Sequence, residues 1–201
     1  MNPNQQAEAF LRKVDPVMDR LICKYGSCPI GSTKPHSLFH SLASAIIAQQ
    51  LSVKAAETIQ KRVMRQVSKP LSPRKYQAAN EENLRSAGLS KPKISYIRNL
   101  ADAIEGGLSK RKLQSMQDAE VAKELTAIKG IGQWTAEMYL IFDLIRPDIV
   151  SLGDAGLQRA ARNLYNNGDA EEGLLEHVSA IWKPYRSIGC WYLWQSLENT
   201  D

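Results

Sequence analysis

Apolar side chains recur every three or four residues along most of the chain, which is the period of an amphipathic α-helix. Val121 and Leu125 follow this spacing, and Trp134 and Met138 follow it again after the short segment KGIG (129–132). Two-residue alternation, typical of a half-buried strand, is scarce. The pattern predicts an all-α protein with helices over residues 5–25, 37–49, 52–68, 73–79, 81–87, 91–106, 118–128, 133–145, 154–165, 171–182 and 187–198.

Segments rich in Gly, Pro and Ser, such as EGGLSK and SKPLSP, separate these predicted helices. None of the connections is long enough to act as a flexible linker between autonomous domains, and the sequence contains no convincing internal repeat. We therefore expect residues 1–201 to form a single unit, and any lobes within it to share an interface.

The chain has 201 residues and a formal net charge of +5, and its basic side chains are concentrated in the middle. Residues 54–75 contain seven Lys and Arg against the single acid Glu57. Such a surface favours a polyanion, because each neutralised phosphate releases counterions, although solvated helix faces would give the same count. No stretch reaches the roughly 18 apolar residues of a membrane span, and the polar start MNPNQQAEAF lacks the core of a signal peptide. We expect an intracellular protein without a membrane partner.

Three cysteines are too few and too scattered to suggest a disulfide framework, so we expect reduced thiols. Cys23, Cys28, His36 and His40 have the residue types of a zinc site, in the order C-x4-C, seven residues, H-x3-H. The central gap is shorter than the roughly 12 residues of a zinc finger, and His40 falls within an apolar helical pattern. An ordinary helix is the favoured interpretation.

The two glycines of KGIG suggest a tight reversal between two helices. Gly130 and Gly132 can both adopt positive φ without a Cβ clash, which would leave the first N–H groups of the following helix unobstructed. Those donors and the positive end of the helix dipole would suit a DNA phosphate. A plain helix C-cap followed by a turn is the alternative.

The whole segment LTAIKGIGQWTAEMYLIF (125–142) resembles the helix-hairpin-helix of the HhH-GPD superfamily of DNA base-excision glycosylases, in particular its 3-methyladenine DNA glycosylase II branch. Three further segments agree with that branch: AIIAQQLSVKAAETI (45–59), SLGDAGLQRA (151–160) and WKPYRSIGCWYLW (182–194). The resemblance covers roughly residues 15 to 197 and corresponds to a minimal form without the extra N-terminal domain of larger bacterial members.

This resemblance implies an all-α, two-lobed fold with the target base bound in a cleft between the lobes. One lobe would comprise residues 1–30 and 150–201, and the other residues 31–149 with the helix-hairpin-helix at 118–145. It further implies a monomeric enzyme of base excision repair whose partner is double-stranded DNA containing alkylated bases. We expect it in the cytoplasm, associated with the nucleoid, if the host is bacterial, and in the nucleus if the host is eukaryotic.

Asp154 matches the catalytic aspartate of the superfamily. A purine alkylated at N3 or N7 already carries positive charge, so it can depart without a general acid and leave a cationic sugar. One carboxylate could then stabilise that cation and deprotonate the attacking water. The alternative is that Asp154 only caps the following helix. Many relatives carry a second acid immediately before the aspartate, where this chain has Gly153.

Trp134 occupies the position of the lysine with which bifunctional members form a Schiff base. An indole cannot act as an amine nucleophile, and Lys129 precedes the glycines at the wrong place. The resemblance therefore implies a monofunctional glycosylase that releases 3-methyladenine or 7-methylguanine and leaves an abasic site. No cofactor is expected to be required, and no iron–sulfur cluster, because that needs four closely spaced cysteines.

Aromatic rings suit a cationic alkylpurine, since their electron-rich faces attract positive charge. By motif position Trp134 and Trp194 are the candidates for the base pocket, and ordinary core tryptophans are the alternative. Met138 replaces a tyrosine found in some relatives, and Tyr139 follows it, rotated by roughly 100° around the helix.

Gln50 matches the residue that relatives insert into the gap left by a flipped base, and Leu51 is its neighbour. A structural turn is the alternative for Gln50, and Ser52 should cap the next helix in both cases. The candidate DNA-binding residues are therefore Gln50, Leu51, Ser52, Gly130, Gly132 and Thr135.

By resemblance, the backbone carbonyls of Thr126, Ile128 and Ile131 are candidates to hold a monovalent cation, Na⁺ or K⁺, in the hairpin. Two other functions remain open from the residues. One is a non-catalytic helix-hairpin-helix module, which would need KGIG but not Asp154. The other is a glycosylase for deaminated or oxidised bases.

Overall fold

The computed structural model describes residues 3–32, 36–67, 70–166, 168–169 and 172–198, with only the backbone for 53 and 198. Within these ranges the regular structure is entirely helical and no strand occurs, which confirms the all-α prediction. The helices are α1 (Pro3–Val14), α2 (Pro16–Tyr25), α3 (Leu38–Ala48), α4 (Val53–Val67), α5 (Pro73–Gln77), α6 (Glu81–Ser86), α7 (Lys91–Glu105), α8 (Lys110–Gln114), α9 (Asp118–Thr126), α10 (Gln133–Phe142), α11 (Ala155–Tyr165), α12 (Leu174–Ala180) and α13 (Arg186–Glu198).

The chain divides into two compact units. Unit one is formed by Met1–Lys34 together with Ile145–Asp201, and unit two by Pro35–Leu144. Unit one therefore contains α1, α2 and α11 to α13, whereas unit two contains α3 to α10. No helix in the described ranges is both long and apolar enough to cross a membrane.

The prediction of one helix over 5–25 is wrong, because the chain breaks at Asp15. This residue is extended (φ −144°, ψ 112°), and its carboxylate accepts hydrogen bonds from the N–H groups of Val17 and Met18. Pro16 follows at the first helical position, where its missing N–H costs nothing. Asp15 thus ends α1 and starts α2.

Other predicted boundaries shift at helix ends. α9 ends at Thr126 and α10 at Phe142, each short of the predicted end. Ile145, predicted as helical, has a left-handed φ of 55°. The short helix α8 was not predicted; Ser109 begins it by accepting the N–H of Lys112. Residues 68 and 171, at the ends of two predicted helices, lie outside the described residues.

Unit one contains two buried acids that connect distant segments. The Asp15 carboxylate, 2% exposed, accepts hydrogen bonds from Tyr165 Oη at 2.6 Å and Trp182 Nε1 at 2.7 Å. Glu8 accepts from the Cys28 N–H at 2.8 Å and from Tyr192 Oη at 3.1 Å. Both acids are hydrogen-bonded, as buried charges require, and they join α1 and α2 to the later helices of the unit.

The cysteines are free thiols, of which Cys23 is exposed while Cys28 and Cys190 are buried. Loss of hydration raises the pKa of Cys28 to about 12. No group of three or more His, Cys, Asp or Glu side chains that could hold a metal ion occurs among the described residues. Cys23, Cys28, His36 and His40 therefore do not come together in such a group.

Unit two is arranged around α7, which packs against α3 and α5. Its inner face buries Ile94, Ile97, Leu100 and Ala101. α9 and α10 pack against each other, and α10 also packs against α3. This arrangement brings the end of α3, the middle of α7 and the turn between α9 and α10 together.

Candidate active site and nucleic-acid interface

The turn between α9 and α10 requires glycine at position 130. Gly130 has a φ of +108°, and a Cβ on it would lie 2.2 Å from Cγ of Tyr96. A side chain at this position would therefore be strained in its backbone and would also clash with the ring. The predicted positive φ is confirmed here.

Gly132 differs from Gly130. Its φ is −90° and its ψ 174°, so the predicted positive φ is wrong at this residue. A Cβ built on it would meet nothing within 4 Å. Gly132 is the N-cap of α10 and provides no side-chain acceptor for the first N–H groups of that helix. The backbone at the start of α10 can thus be approached by a partner such as an anion.

Thr135 is almost completely buried, with 1% of its surface exposed. Its hydroxyl oxygen accepts a hydrogen bond from Nε2 of Gln49 at 3.2 Å. Among the predicted DNA-binding residues, Thr135 therefore faces the interior with its side chain. Contact with DNA at this position would have to come from its backbone N–H.

The candidate wedge lies just after α3. Gln50 is exposed and has a left-handed φ of 57°, which is uncommon for a residue with a side chain. Leu51 is 39% exposed, a large value for leucine. The Ser52 hydroxyl oxygen accepts the N–H of Ala55 at 3.3 Å, which confirms its predicted role as a helix cap.

Three polar side chains that the sequence did not single out support this region. Gln49 Nε2 donates to the carbonyl of Gly130 at 3.0 Å. Lys93 Nζ donates to the carbonyls of Ile47 and Gln49, both at 2.7 Å. Asn99 Nδ2 donates to the carbonyl of Lys129 at 3.1 Å. Partial burial lowers the pKa of Lys93 from its usual value.

The candidate pocket residues on α10 differ in exposure. Trp134 is 39% exposed, Met138 is partly buried, and Tyr139 is only 3% exposed. The Tyr139 hydroxyl has no hydrogen-bond partner in the part of the chain that the structure describes, and its burial raises the pKa of the phenol. Trp194 lies on α13 in unit one and is partly buried.

Asp154 is the N-cap of α11 in unit one, so the predicted capping role is confirmed. Its Oδ1 accepts the N–H of Leu157 at 2.8 Å and Nε1 of Trp194 at 3.3 Å. A Cβ at Gly156 would lie 3.0 Å from the same oxygen. The contact between Asp154 and Trp194 was not predicted, since the two residues are 40 positions apart.

The segment before Asp154 is fixed by the start of α13. Arg186 Nε and Nη2 donate to the two carboxylate oxygens of Asp148 at 2.7 and 3.0 Å. Ser187 Oγ donates to the carbonyl of Arg146 at 2.6 Å and accepts the N–H of Ile149 at 3.0 Å. α13 therefore holds residues 146–149 with its first residues, while Trp194 further along the helix contacts the carboxylate of Asp154.

Comparison with known proteins places these features in a family. Residues 43–184 match the family described as HhH-GPD superfamily base excision DNA repair protein. This range contains the hairpin, the candidate wedge, Trp134 and Asp154. Trp194 lies beyond its end.

Individual relatives match over nearly the whole chain. The alkylbase DNA glycosidase-like protein mag2 of Schizosaccharomyces pombe is 31% identical over 95% of this chain and 92% of its own length. The DNA-3-methyladenine glycosylase 1 of the same yeast is also 31% identical, over 98% of this chain and 89% of its own.

Two solved structures have the same fold. A DNA-3-methyladenine glycosidase from Bacillus halodurans superposes with a TM-score of 0.82 at 40% identity, covering 98% of this chain and 90% of that one. The S. pombe 3-methyladenine DNA glycosylase Mag1, solved in complex with abasic DNA, gives 0.89 at 29% identity, covering 97% and 98%. The family match and the near full-length similarity show that this chain belongs to the HhH-GPD superfamily of base excision DNA repair proteins.

Proposed function

We propose that this protein is a monofunctional DNA glycosylase that hydrolyses the N-glycosidic bond of alkylated purines in DNA, such as 3-methyladenine and 7-methylguanine. The relatives named as 3-methyladenine glycosylases support the substrate class. The product would be an abasic site in an otherwise intact strand.

The observation that carries this proposal is the fixed carboxylate of Asp154. One oxygen accepts two hydrogen bonds, from the N–H of Leu157 and from the indole of Trp194. Both donors restrain the rotation of the side chain, so the negative charge keeps a defined position. A fixed anion is what a reaction through a cationic sugar needs, because no reorganisation is then required as charge develops.

In the proposed reaction one bond to C1′ breaks and another forms in its place. The bond between C1′ and the purine nitrogen breaks, and its electron pair leaves with the base, which neutralises the alkylated ring. A water oxygen forms the new bond to C1′, and Asp154 accepts the proton that this water loses. The same carboxylate stabilises the positive charge on the sugar before water attacks.

Trp134 supports the monofunctional assignment and the preference for charged bases. The residue carries no amine, so this position cannot form a Schiff base with C1′. Its exposed indole, 39% of whose surface is accessible, offers a π face to a cationic purine. The other proposed pocket residues are Trp194, Met138 and Tyr139.

Binding of DNA would use the hairpin and the wedge. The backbone at Gly130 and Gly132 would contact a phosphate at the start of α10, and Gln50 or Leu51 would fill the gap left by the flipped base. These contacts to phosphate carry no sequence information, which suits an enzyme that must search all DNA.

A monovalent cation would fit the same hairpin. The carbonyl of Thr126 lies at the C-terminal end of α9, where the helix dipole is negative and the last carbonyls lack partners within the helix, and the carbonyls of Ile128 and Ile131 follow in the turn. The Ile128 carbonyl accepts the N–H of Ile131 at 3.0 Å and retains a second lone pair. Oxygen donors suit Na⁺ or K⁺, whose charge would favour a nearby phosphate.

An excision assay tests the proposed function. Purified protein is incubated with methylated duplex DNA and, separately, with duplex DNA containing deoxyinosine, and free 3-methyladenine, 7-methylguanine and hypoxanthine are resolved by chromatography. The expected result is release of the methylated purines by the parent protein, with release of 3-methyladenine nearly abolished in Asp154→Asn. Duplex binding without release of any base would identify a non-catalytic module instead, and release of hypoxanthine alone would identify a glycosylase for deaminated bases.

A further inference from the structure

Two segments of unit two that are far apart in sequence are both hydrogen-bonded to side chains of α7. The first is the end of α3, with the candidate wedge Gln50 and Leu51 directly after it. The second is the hairpin turn at residues 129–130. Both are held by side chains of α7, although 46 residues separate Lys93 from Ile47 and 30 separate Asn99 from Lys129.

The supporting residues share one face of α7. Lys93, Tyr96 and Asn99 are spaced three apart, which places them on neighbouring turns of the same side. Lys93 binds the carbonyls at the end of α3, the ring of Tyr96 lies against Gly130, and Asn99 binds the carbonyl of Lys129. This face therefore supports the wedge segment at one end and the hairpin at the other.

Gln49 joins the two segments directly. Its side-chain nitrogen has two N–H donors, and two acceptors of the hairpin lie within reach: the Gly130 carbonyl at 3.0 Å and the Thr135 hydroxyl at 3.2 Å. Its own carbonyl accepts from Lys93 at 2.7 Å. Gln49 is thus bound at both ends, immediately before Gln50.

The backbone of Gln50 makes this restraint significant. A left-handed φ of 57° is unfavourable for a residue with a Cβ and persists only where the surroundings enforce it. Part of the restraint is local, because the Leu51 N–H donates to the Ala48 carbonyl at 3.1 Å and closes a turn whose third residue takes a positive φ. Lys93 and the hairpin add to it by fixing the carbonyl and the side-chain amide of Gln49. The exposed side chains of Gln50 and Leu51 consequently keep a set position relative to Gly130.

We infer that Gln49 and Lys93 are positioning residues that hold the candidate wedge in register with the phosphate-binding hairpin. Insertion of the wedge and contact with the phosphate would then occur at a fixed spacing. The inference rests on the proposed function, since it assigns a task in base flipping to residues that touch neither the base nor the sugar.

The test compares Gln49→Met with Gln60→Met. Methionine keeps the length of glutamine but cannot donate. Gln60 is the matched control, because its Nε2 also donates to a carbonyl of α3, that of Ser44 at 3.3 Å, without any bond to the hairpin. Lys93→Met and Lys93→Arg form a second pair, in which arginine retains donors for the two carbonyls.

Affinity is measured for an undamaged duplex and for one with a tetrahydrofuran abasic mimic, together with melting temperature and single-turnover release of 3-methyladenine. For Gln49→Met we expect the preference for the abasic duplex and the excision rate each to fall about tenfold, since small misplacements of a working group have effects of this order or larger. Undamaged-duplex affinity should stay within about twofold, because Tyr96 and Asn99 still support the hairpin. Gln60→Met should keep the parent preference, and Lys93→Arg should retain more of it than Lys93→Met.

Two results would overturn the inference: a Gln49→Met protein with the parent preference and rate, or one that loses affinity for both duplexes equally. Failure of the proposed function is a separate outcome. A parent protein that prefers the abasic duplex but releases no methylated base would refute the glycosylase assignment, while the effect of Gln49→Met on preference would still decide the positioning role.

Discussion

Asp154 combines two tasks in one side chain, as helix cap and as proposed catalytic anion. Its Oδ1 accepts the N–H of Leu157, a bond that an asparagine oxygen could also accept. The negative charge has no such substitute. The two tasks can therefore be separated by a substitution that removes charge and keeps shape.

Asp154→Asn is expected to nearly abolish release of 3-methyladenine while leaving the fold and DNA affinity largely intact. The free energy of unfolding should fall by about 1 kcal/mol or less, because most of the capping capacity remains. Single-turnover excision by parent and variant on one duplex measures the effect, with affinity and melting temperature recorded alongside. A folded variant that binds DNA and excises within about threefold of the parent would exclude Asp154 as the essential carboxylate.

Gly130 and Gly132 of the hairpin are expected to tolerate substitution differently. Gly130→Ala should destabilise the protein, since the φ of +108° is unsuited to alanine and its Cβ would lie 2.2 Å from the Tyr96 ring. The expected loss is about 2 kcal/mol or more, from backbone strain and overpacking together.

Gly107→Ala is the matched control for this loss. Gly107 has a φ of +109°, and a Cβ there would meet nothing within 4 Å, so the substitution introduces the backbone strain without the clash. Denaturant unfolding of both variants separates the two effects. Equal losses would mean that the contact with Tyr96 contributes nothing.

Gly132→Val should fold normally, because a φ of −90° suits valine and the space around the position is open. It should nevertheless weaken binding to any duplex by a similar factor, since its side chain would block a phosphate at the start of α10. Loss of one charge-assisted hydrogen bond of about 1.5 kcal/mol corresponds to about tenfold in affinity. Selective loss for lesion-bearing DNA, with undamaged-duplex binding intact, would contradict a contact to phosphate.

At the scale of elements, α13 determines the position of the segment that leads to Asp154. Ser187, 1% exposed, satisfies the carbonyl of Arg146 and the N–H of Ile149 with one hydroxyl. Because both partners belong to an irregular segment, no helix hydrogen bond can replace these contacts.

Ser187→Ala should therefore lower the free energy of unfolding by about 1 to 3 kcal/mol, the cost of leaving buried polar groups unsatisfied. Ser196→Ala is the control on the same helix, since the Ser196 hydroxyl donates only to the carbonyl of Leu193 within α13. Urea unfolding measures both variants. A loss for Ser187→Ala no larger than that for Ser196→Ala would show that the segment is held by other contacts.

Some features of these helices could be predicted from the sequence, and others could not. Apolar periodicity predicted the helical class, and the sequence also predicted the helix cap at Asp154 and the turn at Gly130. The break at Asp15 was missed although Asp followed by Pro is a helix-start signal, because the apolar pattern continues across it. The bond from Gln49 to Gly130 could not be predicted, since it spans 81 residues and depends on how α3 and the hairpin pack.

For the whole molecule, the absence of an amine at position 134 predicts that base release is not coupled to strand cleavage. Product strands should stay intact until alkali or a separate endonuclease is added, and borohydride should trap no covalent complex with DNA. Denaturing electrophoresis before and after alkali measures this. A trapped Schiff base would refute the monofunctional assignment and direct attention to another amine, Lys129 first.

The discontinuous composition of unit one has a consequence for synthesis on the ribosome. The hydrogen-bond partner Trp182 of Asp15 lies 167 residues further along the chain, and the partner Tyr192 of Glu8 lies 184 residues further along. The whole of Pro35–Leu144 is translated in between, as one uninterrupted unit that can complete its own contacts. Nascent chains usually fold from the N-terminus onward, but α1 and α2 cannot complete their unit in that order, because its other helices are synthesised last. Asp15 and Glu8 acquire their full sets of hydrogen-bond partners only after the chain from α11 to α13 has been translated.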